Sequence, residues 1–334
     1  MITRRSVWSQ PEVQKLLAQF VPAADEVWGL QNRDDPASLL FQKVAEQGHY
    51  AGRTKPTNTR QGIYATAPSG RLLASVNTRS AERVSQMLER ALAAWDALPE
   101  SDRYLADPEL ESVLSAWGAE RLYPEGGLAL QIFARDLPRD KTIGDWRDAA
   151  WNRDFVWFRR DEMLTFVPGG RDGDAPEVGD RTDVPETLVS RLASLHLVDF
   201  VRGQVTLFAD SNVEIASMVS SVIGVDGQHV RLQLEGRSRA VHHGAWPVAG
   251  YEDMHNPKEQ ERGVQTQLLG YATFDLASKR FTDFQLLSIG TRWGGTQYNG
   301  RSGDLEPGPI GFLFVPADPD LRVPPSSVWR YGWQ

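Results

Sequence analysis

The stretch from Gly263 to Thr296 constrains the fold more than any other. Val264 to Asp275 reads as one strand, Leu276-Ala277-Ser278-Lys279 as a polar-ended turn, and Phe281 to Gly290 as the returning strand. Thr266, Leu268 and Tyr271 alternate imperfectly with Gln265, Gln267 and Thr273; Phe284, Leu286 and Ser288 alternate with Asp283, Gln285 and Leu287. Two such runs joined by a short turn signal a β-hairpin. A lone hairpin is at best marginal in water, so this one must belong to a larger sheet.

Strand-like stretches continue on both sides. Gln204–Ala209, Ser217–Val225 and His229–Glu235 precede the hairpin, with a turn signal at Val225-Asp226-Gly227, and Pro309–Val315 follows it. Val241 to Arg262 reads as a long polar loop. These lengths and spacings predict a largely antiparallel β-sandwich or barrel of about six to eight strands over 186–334.

A chain of 334 residues is long for one domain, and an apolar fraction of 41% with 24% charged residues is that of a folded soluble protein. The net charge of −8 argues against a nucleic-acid partner, which needs a clustered basic face. No apolar run reaches the roughly 18 residues of a membrane span. Met1-Ile2-Thr3-Arg4-Arg5 is basic but is followed by no apolar core of a leader, so a cytoplasmic location is expected. The absence of cysteine excludes disulfides, thiolate nucleophiles, iron–sulfur clusters and cysteine zinc sites.

The first hundred residues read as helix, extended run, helix, hairpin, helix. Pro11 to Phe20 has Val13, Leu16, Leu17 and Phe20 on one face, with Phe20 to Ala24 extended after it. Asp35-Pro36 opens a helix through Gln47. Gly62–Ala67 and Leu72–Val76 flank a Pro68-Ser69-Gly70-Arg71 turn, and Ser80 to Leu98 is a long helix with Val84, Met87, Leu88, Ala91, Leu92 and Trp95 on one side. This order resembles the thioredoxin-like fold from just after its active-site helix onward, on Ser9-Gln10-Pro11-Glu12-Val13, Phe20-Val21-Pro22, Gly62-Ile63-Tyr64-Ala65-Thr66, Ser69-Gly70-Arg71-Leu72 and the helix to Trp95. The resemblance implies a thioredoxin-like α/β scaffold over 1–100. It departs from the family in lacking CxxC and in having Thr59-Arg60-Gln61 where the family places a cis-proline. Dithiol chemistry is therefore excluded. The fold class expected is α+β: this domain, a mixed connecting region over 101–185, and the β domain.

In the connecting region, Asp107–Glu120 reads as a helix and Leu128–Ala134 as a strand. Trp151, Phe155 and Phe158 fall on one helical face, which suits packing between elements or a stacking platform. Gly169 to Asp183 reads as a surface loop, and its Asp172 and Asp174 lack the further ligands of a calcium loop. His242, His243 and His255, near Glu252 and Asp253, match no metal-ligand spacing, so neither a metal nor a cofactor is expected.

Two sets of residues carry candidate chemistry. His196, Asp199 and Arg202 lie three apart, so on a helix they share a face, and a histidine beside a carboxylate can act as a general base. No G-x-S-x-G accompanies them. A buried ion network tying this segment to the β domain is the other reading. Arg292, Trp293, Tyr298 and Arg301 sit among Gly290, Gly294, Gly295, Gly300 and Gly303 just after a strand. Glycines allow close backbone approach, arginines bind carboxylate or phosphate, and the aromatics give flat faces. A plug at the end of the β domain, with the arginines paired to acids, is the competing reading. The functional expectation is a non-catalytic binding or assembly protein taking a small anionic ligand or a protein partner. The alternative is a cysteine-independent hydrolase using His196 and Asp199.

Overall fold

The computed structural model describes residues 7–23, 27–49, 59–104, 119–139, 144, 146–170, 175–248, 256–320 and 322–333. The chain divides into two units, Met1–Gly118 and Ala119–Gln334.

In the first unit, α1 (Pro11–Leu17) starts on a proline and buries Val13. It is followed by α2 (Val27–Asn32) and α3 (Pro36–Gln47). The Asp35 side chain caps α3 by accepting from the Ser38 amide at 3.0 Å. Strands β1 (Ile63–Thr66) and β2 (Leu72–Val76) pair antiparallel around a turn in which Gly70 takes a φ of 76°. Helix α4 (Ala81–Ala97) is capped by Ser80 and buries Val84, Met87, Leu88 and Ala91 against Val7, Val13, Ala65 and Val76. The expected helices and hairpin are thus present. Among the described residues the sheet of this unit has two strands, and 21–23 pair with neither. Most of the expected Asp107–Glu120 helix lies outside the described residues.

The second unit is built on one eight-stranded antiparallel sheet. Its strands are β3 (Leu128–Asp136), β4 (Trp151–Phe158), β5 (Arg181–Asp183), β6 (Val213–Asp226), β7 (His229–Trp246), β8 (Lys258–Asp275), β9 (Arg280–Trp293) and β10 (Gly308–Pro316). The spatial order is β4-β3-β10-β9-β8-β7-β6-β5. From β5 to β10 the chain is a meander, and β10 then lands beside β3, pairing Ile310 with Asp136 and Pro316 with Leu130. Among the described residues β4 and β5 remain edges, so the expected sandwich or barrel is instead a single open sheet. Each strand from β5 to β9 pairs with the next in the chain and β10 closes on β3, so all eight strands are used in one layer.

Period-2 alternation decides the faces. Val230, Leu232, Leu234, Val264, Leu268, Phe274, Phe284, Leu286, Ile310, Phe312 and Phe314 point to the core. Tyr271 and Gln285 pair on the opposite, solvent-facing side. Among the described residues the core face is covered by helical and irregular segments rather than by a second sheet. Phe166, after the short α5 (Arg160–Met163), packs edge-on against Phe284, and Phe200 contacts Phe312.

Several expectations need correction. The region 101–185 is not a connector: it supplies β3, β4 and β5, and the division between units falls at 118/119. Trp151, Phe155 and Phe158 lie on a strand, not a helical face. Val241–Arg262 is not a loop throughout, because β7 runs on to Trp246 and β8 begins at Lys258. Gln204–Ala209 forms no strand.

Candidate functional site

Helix α6 (Glu186–Arg191) runs into one turn of π-helix, Leu192–His196, and Leu197 then leaves helical geometry with φ −90° and ψ 53°. That break separates the proposed base from its carboxylate. His196 turns one way: its Nε2 lies 2.5 Å from the Tyr331 hydroxyl and its Nδ1 3.5 Å from Asp154. Asp154 in turn accepts from the Ser326 amide and hydroxyl at 2.9 and 3.0 Å. Burial depresses the His196 pKa, with Asp154 opposing, and burial raises that of Tyr331.

Asp199 and Arg202 turn the other way, into a cluster of guanidinium and carboxylate groups. Arg301 donates to Asp199 through Nε and a terminal nitrogen, both at 2.6 Å, and to Asp136 at 2.9 and 2.7 Å. Arg202 reaches Asp136 and Asp304 at 2.6 Å each. Asp304 also accepts from Arg139 at 2.7 Å and Arg292 at 2.8 Å. Arg292 further donates to the carbonyls of Asp304 and Glu306. Burial pushes the Asp304 carboxyl up, but bonds and charge from Arg139, Arg292 and Arg202 hold it well below the usual range; Asp136 is lowered likewise by Arg301 against its burial. The network joins the end of β3, the 199–202 segment, the end of β9 and the glycine-rich loop.

The loop that carries Arg301 folds as its glycines require. Gly294, Gly300 and Gly303 all have positive φ, and Gly294 crosses so close over Glu261 and Arg262 that a Cβ would collide with their backbone.

Of the second candidate set, Arg292 (1% exposed) and Arg301 (0%) are buried and committed to carboxylates, so they face no open pocket. Tyr298 is 51% exposed and lines neither of the two cavities described next. Trp293 alone keeps a place at an opening. It is half-buried, lies across Gly263 where a side chain would meet its ring, and donates from Nε1 to Glu261 at 2.5 Å. The Arg239 guanidinium sits 5.1 Å from the ring centroid and also bonds Glu214 and Gln265.

An open groove of about 600 Å³ runs along this side of the sheet, lined by Trp293, Ile289, Thr291, Gln265, Gln267, Arg239, Glu261 and Pro307 among others. A second cavity, of about 10 Å³, lies on the core side of Trp293 and is lined in part by Arg262, Thr296, Asn299 and Asp199. Sequence reasoning missed Asp136, Asp304 and the groove residues. The groove was in reach: continuing the alternation of β7, β8 and β9 puts Arg239, Gln265, Gln267, Ile289, Thr291 and Trp293 on one face.

Among the described residues no three histidine or acidic side chains converge as metal ligands. His242 stacks on Trp246 while its strand neighbour His243 is exposed near Glu261, and adjacent strand residues point to opposite faces. His255, Glu252, Asp253, Asp172 and Asp174 lie outside the described residues. No helix of the described residues is long and apolar enough to cross a membrane. No family model, curated protein or solved structure matches the chain.

Proposed function

We propose that the chain is a non-catalytic binding protein and that the Trp293 groove on the sheet takes a neutral, hydroxyl-rich ligand such as a saccharide chain. The observation that carries this reading is the lining itself. Trp293 stacked with Arg239 makes a flat wall, Ile289 and Pro307 add apolar surface, and two amides, a hydroxyl and a carboxylate supply donors and acceptors. Arg239 and Glu261 balance in charge, so the small anionic ligand expected from Arg292 and Arg301 loses its donors. The hydrolase alternative loses its support as well, since His196 is fully buried, bonds Tyr331 and has Asp154, not Asp199, as its neighbouring carboxylate. The thioredoxin-like reading of the first unit rests on element order alone and enters here as a scaffold without dithiol chemistry.

Calorimetry with a panel of neutral oligosaccharides tests the proposal. We expect binding that Trp293→Ala and Gln267→Ala each weaken at least tenfold, at unchanged folding. Absence of heat for every oligosaccharide at millimolar concentration would overturn it. A second reading, a protein partner laid on the same face, is favoured by Leu269, Leu287 and Leu313, which pair across strands and are all exposed. Under that reading Leu287→Asp abolishes a self-association or pull-down signal, and no oligosaccharide gives heat with the unaltered chain.

A further inference from the structure

An antiparallel sheet with one face in water normally carries polar residues there. The outer face of this sheet departs from that pattern. Leu269, Tyr271, Leu287, Ile289, Leu313 and Trp151 stand on it, each between 39% and 50% exposed. The strand register sorts them. Leu269 pairs with Leu287, Leu287 with Leu313 and Leu313 with Phe133, so four apolar side chains form one straight row over β8, β9, β10 and β3. The Phe133 and Trp151 rings lie 6.2 Å apart, centroid to centroid, which carries the apolar surface on to β4. The row ends in opposite charges: Glu235 on β7 pairs with Leu269, and Arg153 on β4 pairs with Phe133. Both are exposed, and among the described residues neither is in an ion pair.

This pattern is its own complement. The six strands run in the order β4-β3-β10-β9-β8-β7, so the midline of the row falls between β10 and β9. A twofold axis along that midline lays the face on a second copy with β7 over β4, β8 over β3 and β9 over β10. Glu235 then meets Arg153, Leu269 meets Phe133, and Leu287 meets Leu313. The next row toward Trp293 holds Arg237, Gln267, Ile289, Gly311, Arg135 and Trp151 in register. In it the same axis sets Arg237 on the Trp151 ring, Gln267 on Arg135, and Ile289 over Gly311, where no side chain fills the space. No like charges meet in either row. The row on the other side, through Tyr271, Gln285 and Gln131, is uncharged.

We propose that this face is the interface of a homodimer, in which a second copy of the chain packs on it about the twofold between β9 and β10 and the two sheets make a sandwich. Two-layer packing of aligned sheets about 10 Å apart is a standard arrangement, and a twofold interface requires one patch that matches itself. Three rows over six strands cover roughly 500 Å² of each copy, so about 1,000 Å² in the pair, the lower end for a specific interface. The dimer is accordingly weak and reversible. It does not rest on the saccharide reading. Trp293 and Thr291 lie beyond the second row and stay uncovered, while Gln267 and Ile289 stand where groove and interface meet.

Sedimentation equilibrium of the full chain, without saccharide, is the test. We expect a reversible monomer–dimer equilibrium. Leu287→Asp sets two carboxylates beside the axis and should leave a monomer, at unchanged melting temperature because the side chain is exposed. Glu235→Arg and Arg153→Glu each bring like charges together at both ends of the row, and each should raise the dissociation constant about tenfold. An equimolar mixture of those two variants restores opposite charges at both ends and should associate as tightly as the unaltered chain. A monomer at every concentration up to millimolar, a dimer indifferent to Leu287→Asp, or a mixture no tighter than either variant alone would overturn the proposal. Calorimetry decides the saccharide and sedimentation decides the dimer, so either reading fails without the other.

Discussion

Arg301 clamps Asp199, on the segment after the π-turn, and Asp136, at the end of β3, so two distant stretches of chain share one guanidinium. Removing one member of a buried ion network leaves the others charged, unpaired and out of water. Arg301→Met should therefore cost about 3–5 kcal/mol of unfolding free energy, read from a denaturant midpoint. Trp293→Ala makes the contrast, since its ring is only half-buried and its loss should be felt in ligand binding far more than in stability. At this scale the chain disclosed half of the answer. The glycines around Arg292 and Arg301 marked the loop as special, and Asp199 and Arg202 are indeed part of a buried ion network. Their partner Asp136 stands far away in sequence with nothing local to mark it, so no spacing rule could join it to Arg301. The same is true of His196, whose partners Asp154 and Tyr331 come from β4 and the C-terminal segment.

The β8–β9 hairpin was the most legible element, because alternation and turn chemistry agreed. Asp275 accepts from the Ser278 amide at 2.6 Å, and Lys279 takes a φ of 55° to close the turn. Phe284 on β9 is buried at 1% exposure between Phe166 and Phe281, so Phe284→Ala should cost roughly 3–5 kcal/mol with a lowered denaturant midpoint. An unchanged midpoint would mean that this ring is not part of the core. β4 was misread for a physical reason. In a dense apolar run, residues four and three apart satisfy a helical stripe and a buried strand alike, and Trp151, Phe155 and Phe158 fit both. The break at Leu197 was equally hidden, since Leu195-His196-Leu197-Val198 carries no glycine or proline to end a helix.

For the molecule as a whole, the buried titratable groups set how stability follows pH. The His196 pKa is lower folded than unfolded, so the folded state binds fewer protons. Its contribution is complete above the unfolded value of about 6.5 and is lost as pH falls below it toward the folded value, by at most about 1.4 kcal/mol per pH unit. His242, also depressed by burial and by Arg262, adds to the same window. Asp136 and Asp304 have lowered pKa values too, and their contribution is present above about pH 4 and fades below it. Denaturant midpoints measured from pH 8 to 3 should fall in two stages, and His196→Asn should flatten the first while sparing the second.

The seam between β3 and β10 also orders events in time. The strands β6 to β9 are each followed within about fifteen residues by a partner, so they can pair as they emerge during synthesis at little loop-closure cost. β3 is made well before them, yet the neighbour that covers its inner edge is β10, the last strand of the sheet. Until residues 308–316 arrive, the edge carrying Leu128, Leu130 and Ile132 stands open, and open apolar edges are where chains pair with the wrong partner. The newborn chain is thus most exposed to aggregation through β3, and only its final strand closes that window.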